Sequence, residues 1–155
     1  MLKRILIALA VLAALAQLVP ESVFPMRNPP MAAANGLDAR AHALTPAVAA
    51  ILQRSCYDCH SNRTAWPWYS KVAPVAWLIS NDVTEGRRGL NFSEWGLYSP
   101  KRAAHKLDEI CEHVEGGEMP LWYYQPMHPA SKLSAADKKA ICAWTKAEDA
   151  TLGAR

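Results

Sequence analysis

The sequence predicts an all-α fold whose helices are joined by long loops rich in proline and aromatic residues. Three observations carry that reading. Several stretches place apolar residues at helical spacing behind capping or proline start signals. No run of β-branched residues alternates as a strand would. The segments between hold much of the 11 Pro and 6 Trp of the chain, so the connections are stiff and able to bury large areas. With 155 residues there is room for one domain of ordinary size. The formal charge is +3, from 17 Lys and Arg against 14 Asp and Glu, which lacks the basic excess that neutralises nucleic-acid phosphates. Nucleic acid is therefore not an expected partner.

At the N-terminus, Lys3 and Arg4 precede an uninterrupted apolar run over residues 5–16, continued by Leu18 and Val19 until Pro20 stops any helix. The pattern reads as an export leader over residues 1–19. Its apolar stretch of roughly 15 residues falls short of the ~20 that cross a bilayer comfortably, and Ala14-Leu15-Ala16 offers small residues at cleavage spacing. Cleavage after Ala16 is the first reading. The second is an uncleaved anchor, with membrane association through this segment, since tilt and bilayer thinning tolerate short spans. On either reading the remainder is exported, to a bacterial periplasm where thiols can oxidise.

Residues 20–44, with Pro20, Pro25, Pro29 and Pro30 and an Ala-rich segment, show no periodicity and read as an extended linker. The domain proper is expected over residues 45–150. Thr45-Pro46 makes an N-cap and first-turn proline, and Val48, Ile51, Leu52 and Ser55 follow on one face of a helix running into Cys56. A second helix is expected over residues 75–85, ending near Gly86, with Trp77, Leu78 and Val83 for burial. Ser99-Pro100 repeats the start signal, and Ala104, Leu107, Ile110 (or Cys111) and Val114 form a stripe that stops at Gly116-Gly117. Ser134 with Asp137 resembles a capping box ahead of Ala140, Ile141, Trp144 and Ala147.

The chemistry concentrates in Cys56-Tyr57-Asp58-Cys59-His60, the CxxCH signature of covalent haem attachment. Cysteines at i and i+3 share one face of a helical turn, so both sulfurs can reach the two vinyl groups of one porphyrin, and His60 follows where its imidazole can meet the iron. Ligation of this kind needs an exported apoprotein, and the leader supplies that route independently. A thioredoxin-like CxxC is the main rival, but there the pair begins a helix after a strand, whereas here it ends a helix. A zinc site would want a second close ligand pair, and Cys111 and Cys142 are far apart in sequence.

For the sixth iron ligand, Met119 is the first choice. It lies in Glu118-Met119-Pro120, a loop after two glycines, from which a thioether can fold back over the opposite face and raise the iron's potential. Met127, His128, His105 and His113 compete; the last two sit on a charged helix and read as solvated. Trp66, Trp68, Tyr69 and Trp77 are placed to wall a porphyrin, with Arg63, Arg87 and Asn91 available to its propionates. Gly86-Arg87-Arg88-Gly89 reads as a solvated turn before an anion site. Cys111 and Cys142 are a reasonable disulfide in an oxidising compartment, with two buried free thiols as the alternative.

These residues resemble the small haem-binding domain family of exported bacterial c-type cytochromes. The matching stretches are CYDCHSNRTAWPWYSKVAPVAW, DVTEGRRGLNFSEW and EGGEMPLWYYQPMHPASKLSAADKKAICAW, with Asn28-Pro29-Pro30 ahead of them, and together they cover most of the exported chain. The resemblance implies a mono-haem, cytochrome c-like helical domain with one covalently attached haem c, Cys56, Cys59 and His60 in their usual roles, and Met119 at the family's Met-Pro position. Cys111 and Cys142 depart from the family pattern, as does Met127, which adds a second thioether near the histidine.

The expected function is single-electron transfer by a carrier rather than catalysis by an enzyme, with redox proteins as partners. A haem enzyme of peroxidase type, or a gas or redox sensor with an exchangeable sixth ligand, is the alternative.

Overall fold

The computed structural model describes residues 1–19 and 23–153, and among these it contains helices and no strand. The chain is all-α. Its helices are α1 (Leu2–Ala16), α2 (Leu37–Arg40), α3 (Pro46–Ser55), α4 (Tyr57–His60), α5 (Val75–Gly89), α6 (Pro100–Gly116) and α7 (Ala135–Gly153), with short 3-10 turns between them. Pro20, read as the stop signal of the first helix, lies outside the described residues.

The caps form where the side chains supply them. Thr45 Oγ1 accepts from the Val48 N–H at 3.3 Å and Ser99 Oγ from the Arg102 N–H at 3.3 Å, each with proline in the first turn. Ser134 and Asp137 make the reciprocal pair: Asp137 Oδ2 accepts from the Ser134 N–H at 2.9 Å, and the Asp137 N–H donates to Ser134 Oγ at 3.1 Å. The helix α6 ends on Gly117, whose φ of +76° lets the Glu118 and Met119 N–H groups turn back onto the His113 carbonyl at 3.0 and 3.3 Å. That turn fixes where the chain leaves for Met119.

The core is built from α2, α3, α6, α7 and the turn Phe92–Leu97. Leu37, Leu52, Leu107 and Ile141 are fully enclosed there, each such side chain contributing about 1.5–3 kcal/mol relative to exposure. Phe92, Trp95, Val114 and Trp144 fill the space between them. The most extensive helix contact joins α6 to α7, and a disulfide between Cys111 and Cys142, with Cα atoms 4.9 Å apart, crosses it.

Residues 23–44, expected as a linker, are tied to this body throughout. Phe24 stacks on Trp77 at 5.4 Å, and Ser80 Oγ donates to the Pro25 carbonyl at 3.1 Å. Arg87 donates to the Arg27 carbonyl at 2.8 Å and to Asn28 Oδ1 at 2.7 Å. Leu37 enters the core, and fully buried Glu148 of α7 accepts from the His42 and Ala43 N–H groups at 2.8 and 2.7 Å. Residues 25–32 are extended, Pro25, Pro29 and Pro30 denying them helical pairing, whereas the rest of the expected linker forms the 3-10 turn Ala33–Asn35 and α2; side chains from α5 and α7 satisfy part of its backbone and fix it in place. Upstream, the Gln17 side chain forms two 3.1 Å hydrogen bonds with the backbone of Ala73. The helix α1 has 15 residues and buries none of them; no helix among the described residues is long and apolar enough to cross a membrane.

Candidate functional site

A cavity of about 730 Å³ opens between α4, α5, α6 and the segment after Gly117, a volume in the range of small-molecule and cofactor sites. The α4 turn brings Cys56, Cys59 and His60 to its wall. Cys56 breaks the backbone between α3 and α4, with φ −127° and ψ −37°, and its carbonyl accepts from both the Cys59 and His60 N–H groups at 3.2 and 2.9 Å. The cysteine pair therefore straddles a helix break, where a single helix ending in the pair was expected. The i, i+3 spacing still holds both sulfurs on the cavity side.

Both thiols are free, and burial pushes each up to about 12. For Cys56 the neighbouring Cys59 adds to the rise; for Cys59 the charges of Asp82 and Asp58 do. A thiol oxidoreductase needs the opposite, a cysteine whose thiolate is favoured. The one His/Cys/Asp/Glu cluster with metal-ligand spacing among the described residues is Cys111, Glu115 and Cys142, and its sulfurs are bonded to one another.

The His60 ring is aimed by the end of α5. Its Nδ1 lies 3.0 Å from the Gly86 carbonyl oxygen and 3.2 Å from that of Leu90. Two acceptors require Nδ1 to carry the proton, which leaves the Nε2 lone pair for a metal. Burial lowers the ring's proton affinity, overriding the two carbonyls that raise it, so the imidazole is held in the neutral, ligating form.

Half-buried Met119 also lines the cavity, and so do Met127 and His128. Met127 is 57 % exposed. The His128 ring stacks on Tyr124 with centroids 4.0 Å apart, and its Nε2 is engaged by the Tyr69 hydroxyl. His113, read as solvated, also reaches the lining, where its Nδ1 meets Glu118 Oε2 at 2.6 Å. His105 lies outside the lining and pairs with Glu109 at 3.1 Å. The structure thus gathers Cys56, Cys59, His60 and Met119 around one space, together with Met127, His128 and His113.

Several expected wall residues go elsewhere. Trp68 and Tyr69 line the cavity, but Trp77 is taken by Phe24, and Trp66 packs beneath the Arg87 guanidinium at 5.9 Å. Arg63 pairs with Asp38 at 2.6 Å, Arg87 holds the 27–28 backbone and side chain, and Asn91 Nδ2 donates to Asn62 Oδ1 at 2.9 Å. None of these three reaches the lining, where Lys106 is the single Lys or Arg side chain. Gly86-Arg87-Arg88-Gly89, expected as a solvated turn, is the last turn of α5, which runs past the Gly86 stop that the sequence indicated.

Sequence reading also passed over Asp58, inside the motif. Its carboxylate accepts from the Ala65 N–H and the Tyr124 hydroxyl, both at 2.9 Å, tying the turn after the motif to the far wall. Burial, with Asp58's charge added, raises the Tyr124 phenol, which therefore stays a donor.

The donor set fits an iron porphyrin: two free thiols, a neutral imidazole with its outer nitrogen unengaged, and a thioether line one cavity with largely apolar walls. A family model described as a haem-binding domain matches residues 14–147. No curated protein and no solved structure matches the chain.

Proposed function

The chain belongs to the haem-binding domain family, and from that premise we propose that it is an exported mono-haem c-type cytochrome that passes single electrons between redox proteins. In this reading Cys56 and Cys59 would hold the haem covalently, and His60 and Met119 would supply nitrogen and sulfur to its iron. The observation that carries it is the His60 ring, locked by the Gly86 and Leu90 carbonyls inside a cavity that both free thiols also line.

Cys56 and Cys59 would hold the group through thioethers, each thiol supplying its sulfur and its hydrogen to one vinyl substituent. Once bound, haem supplies a one-electron ferric–ferrous couple. The protein's part is to keep that couple simple. The backbone carbonyls hold His60 in one tautomer and one orientation, so little rearranges between the two states. Apolar side chains such as Leu78, Ile79, Val83 and Ile110 exclude water from the ring, and a thioether from Met119 favours the ferrous state. Export rests on the leader read at residues 1–19, which is too short for a comfortable span whether or not it is cut after Ala16.

A second reading, a peroxidase-like enzyme or a sensor with an exchangeable sixth position, is favoured by polar side chains in the lining: the Tyr69 hydroxyl on His128 Nε2, with the His128 ring stacked on Tyr124. Absorption spectra after expression with haem-maturation machinery decide between them. Pigment that survives acid-acetone extraction, with a low-spin ferric spectrum and a far-red thioether band, supports the carrier. A high-spin spectrum altered by carbon monoxide or peroxide supports the second reading, and colourless protein overturns both.

A further inference from the structure

The last turn of α5 approaches the CxxCH turn more closely than a side chain would allow. A Cβ built on Gly86 would lie 2.7 Å from the Cys59 carbonyl oxygen and 3.2 Å from its carbon. Both contacts are backbone, so neither can swing aside. Three residues on, a Cβ at Gly89 would meet nothing within 4 Å. The requirement for glycine is therefore local to position 86, and it comes from contact with α4, since Gly86 needs no unusual φ.

The contact has a chemical consequence. The carbonyl of Gly86 accepts from the Leu90 N–H at 2.9 Å within its own helix and also takes the His60 Nδ1 proton at 3.0 Å. The Leu90 carbonyl, just past the end of α5 with no helical partner of its own, is the second acceptor at 3.2 Å. The negative end of the α5 dipole thus faces the imidazole. Next to Gly86, Arg87 Nε donates to the Ser61 carbonyl at 2.8 Å, so the pair Gly86-Arg87 grips the pair His60-Ser61.

We infer that Gly86 is a positioning residue for the axial histidine: its missing side chain lets α5 close on Cys59, which brings two carbonyls onto His60 Nδ1 and sets how strongly the imidazole donates to iron. Hydrogen bonding at Nδ1 enriches the ring in electron density and favours the ferric state. A methyl at position 86 forces α5 outward, lengthens both bonds and moves the potential upward. The inference rests on the haem-carrier reading, and the test separates the two.

The experiment is redox titration of purified Gly86→Ala holoprotein beside wild type and Gly153→Ala, a helical glycine whose Cβ meets nothing within 4 Å. The expected result is a rise in the ferrous-to-ferric ratio at fixed poise of roughly threefold or more, about 30 mV by the one-electron relation, in Gly86→Ala alone. An unchanged potential in Gly86→Ala overturns the inference. Should Gly86→Ala yield no holoprotein, the deciding measurement is NMR on the wild-type ferrous protein. A persistent, slowly exchanging His60 Nδ1 proton upholds the two-carbonyl hold, and one exchanging within the dead time overturns it. Absence of covalent haem from wild type itself refutes the carrier reading, a different failure from an insensitive position 86.

Discussion

The two sides of the cavity are held by different means. On the α4–α5 side, backbone groups do the holding: the His60 ring meets two carbonyls, the Cys56 carbonyl takes two N–H groups, and Gly86 leaves no gap for a side chain. On the other side, the segment from Gly117 to Ser134 carries only the 3-10 turn Pro129–Ser131, with Met127 and Trp122 largely exposed. Beyond the Glu118 and Met119 N–H groups on the His113 carbonyl and a few local turns, it is tied to the rest of the molecule by side-chain contacts such as Tyr124 to Asp58 and Tyr123 to Asp82, and by the Cys111–Cys142 disulfide, which closes a covalent ring around the whole segment. A ligand fixed by backbone is set once the helices pack. A ligand on a stapled loop has neighbours that can take its place, and Met127 is one such neighbour in the same lining.

The largest effect that sharpens this contrast is expected from Cys56→Ser with Cys59→Ser. Covalent haem should be lost completely, read as pigment released by acid-acetone, while His60 remains held by α5 and haem added in vitro still gives an imidazole-ligated spectrum. Retained covalent pigment would break the proposed chemistry. Next comes the loop side: Met119→Ala should abolish the far-red thioether band and lower the potential, whereas Met127→Ala should leave both in place. A band that vanishes in Met127→Ala instead assigns the distal ligand to the more exposed methionine.

A smaller effect is expected from Cys111→Ser with Cys142→Ser. The bridge closes a sequence separation of 31, and its removal should lower unfolding free energy by about 2–4 kcal/mol in denaturant titrations. The cost should concentrate on the stapled side, so that hydrogen exchange rises across residues 117–134 and stays unchanged at the α4–α5 contact. Uniform acceleration on both sides would erase the distinction between them.

The same contrast governs how much was legible. Where periodicity and caps coincide, the reading held residue by residue: Val48, Ile51, Leu52 and Ser55 are the buried face of α3, and Leu107, Ile110 and Val114 that of α6. The α6 stripe begins at Ala103 rather than Ala104, a shift of one residue on a face where both are small. In α7 the buried face continues past Trp144 through Thr145 to Glu148 rather than Ala147, because the Glu148 carboxylate is consumed by two backbone N–H groups from a segment distant in sequence. No periodicity reports such a partner. The same reason hid the Gly86 carbonyl and the strap of residues 23–30, whose partners are main-chain atoms or side chains on α5. The CxxCH string was legible because its chemistry is encoded in side-chain types at fixed spacing. The wall was less so, since Trp66 and Trp77 find their places through Arg87 and Phe24.

The smallest expected effect lies where the two sides meet. Asp137 begins α7 directly after the loop segment, and its carboxylate also pairs with Arg54 of α3 at 2.7 Å. The Ser134 backbone N–H, then the Ser134 hydroxyl, then Arg54 hold Asp137 below the usual carboxylate value, against a small opposing push from burial. A carboxyl depressed in the folded state contributes stability that is fully present above its unfolded value, about 3.9, and is lost as pH falls through the lower folded value. Wild type should therefore lose this contribution only below about pH 4. Asp137→Asn should remove that slice of acid sensitivity while lowering stability at neutral pH by under about 1 kcal/mol, as expected of a surface pair and cap. Thermal melts of the two proteins between neutral pH and the acid limit measure the difference, which should narrow as pH falls. Curves that stay parallel would mean that Asp137 is not held by Ser134 and Arg54, and that α3 and α7 meet through the apolar core alone.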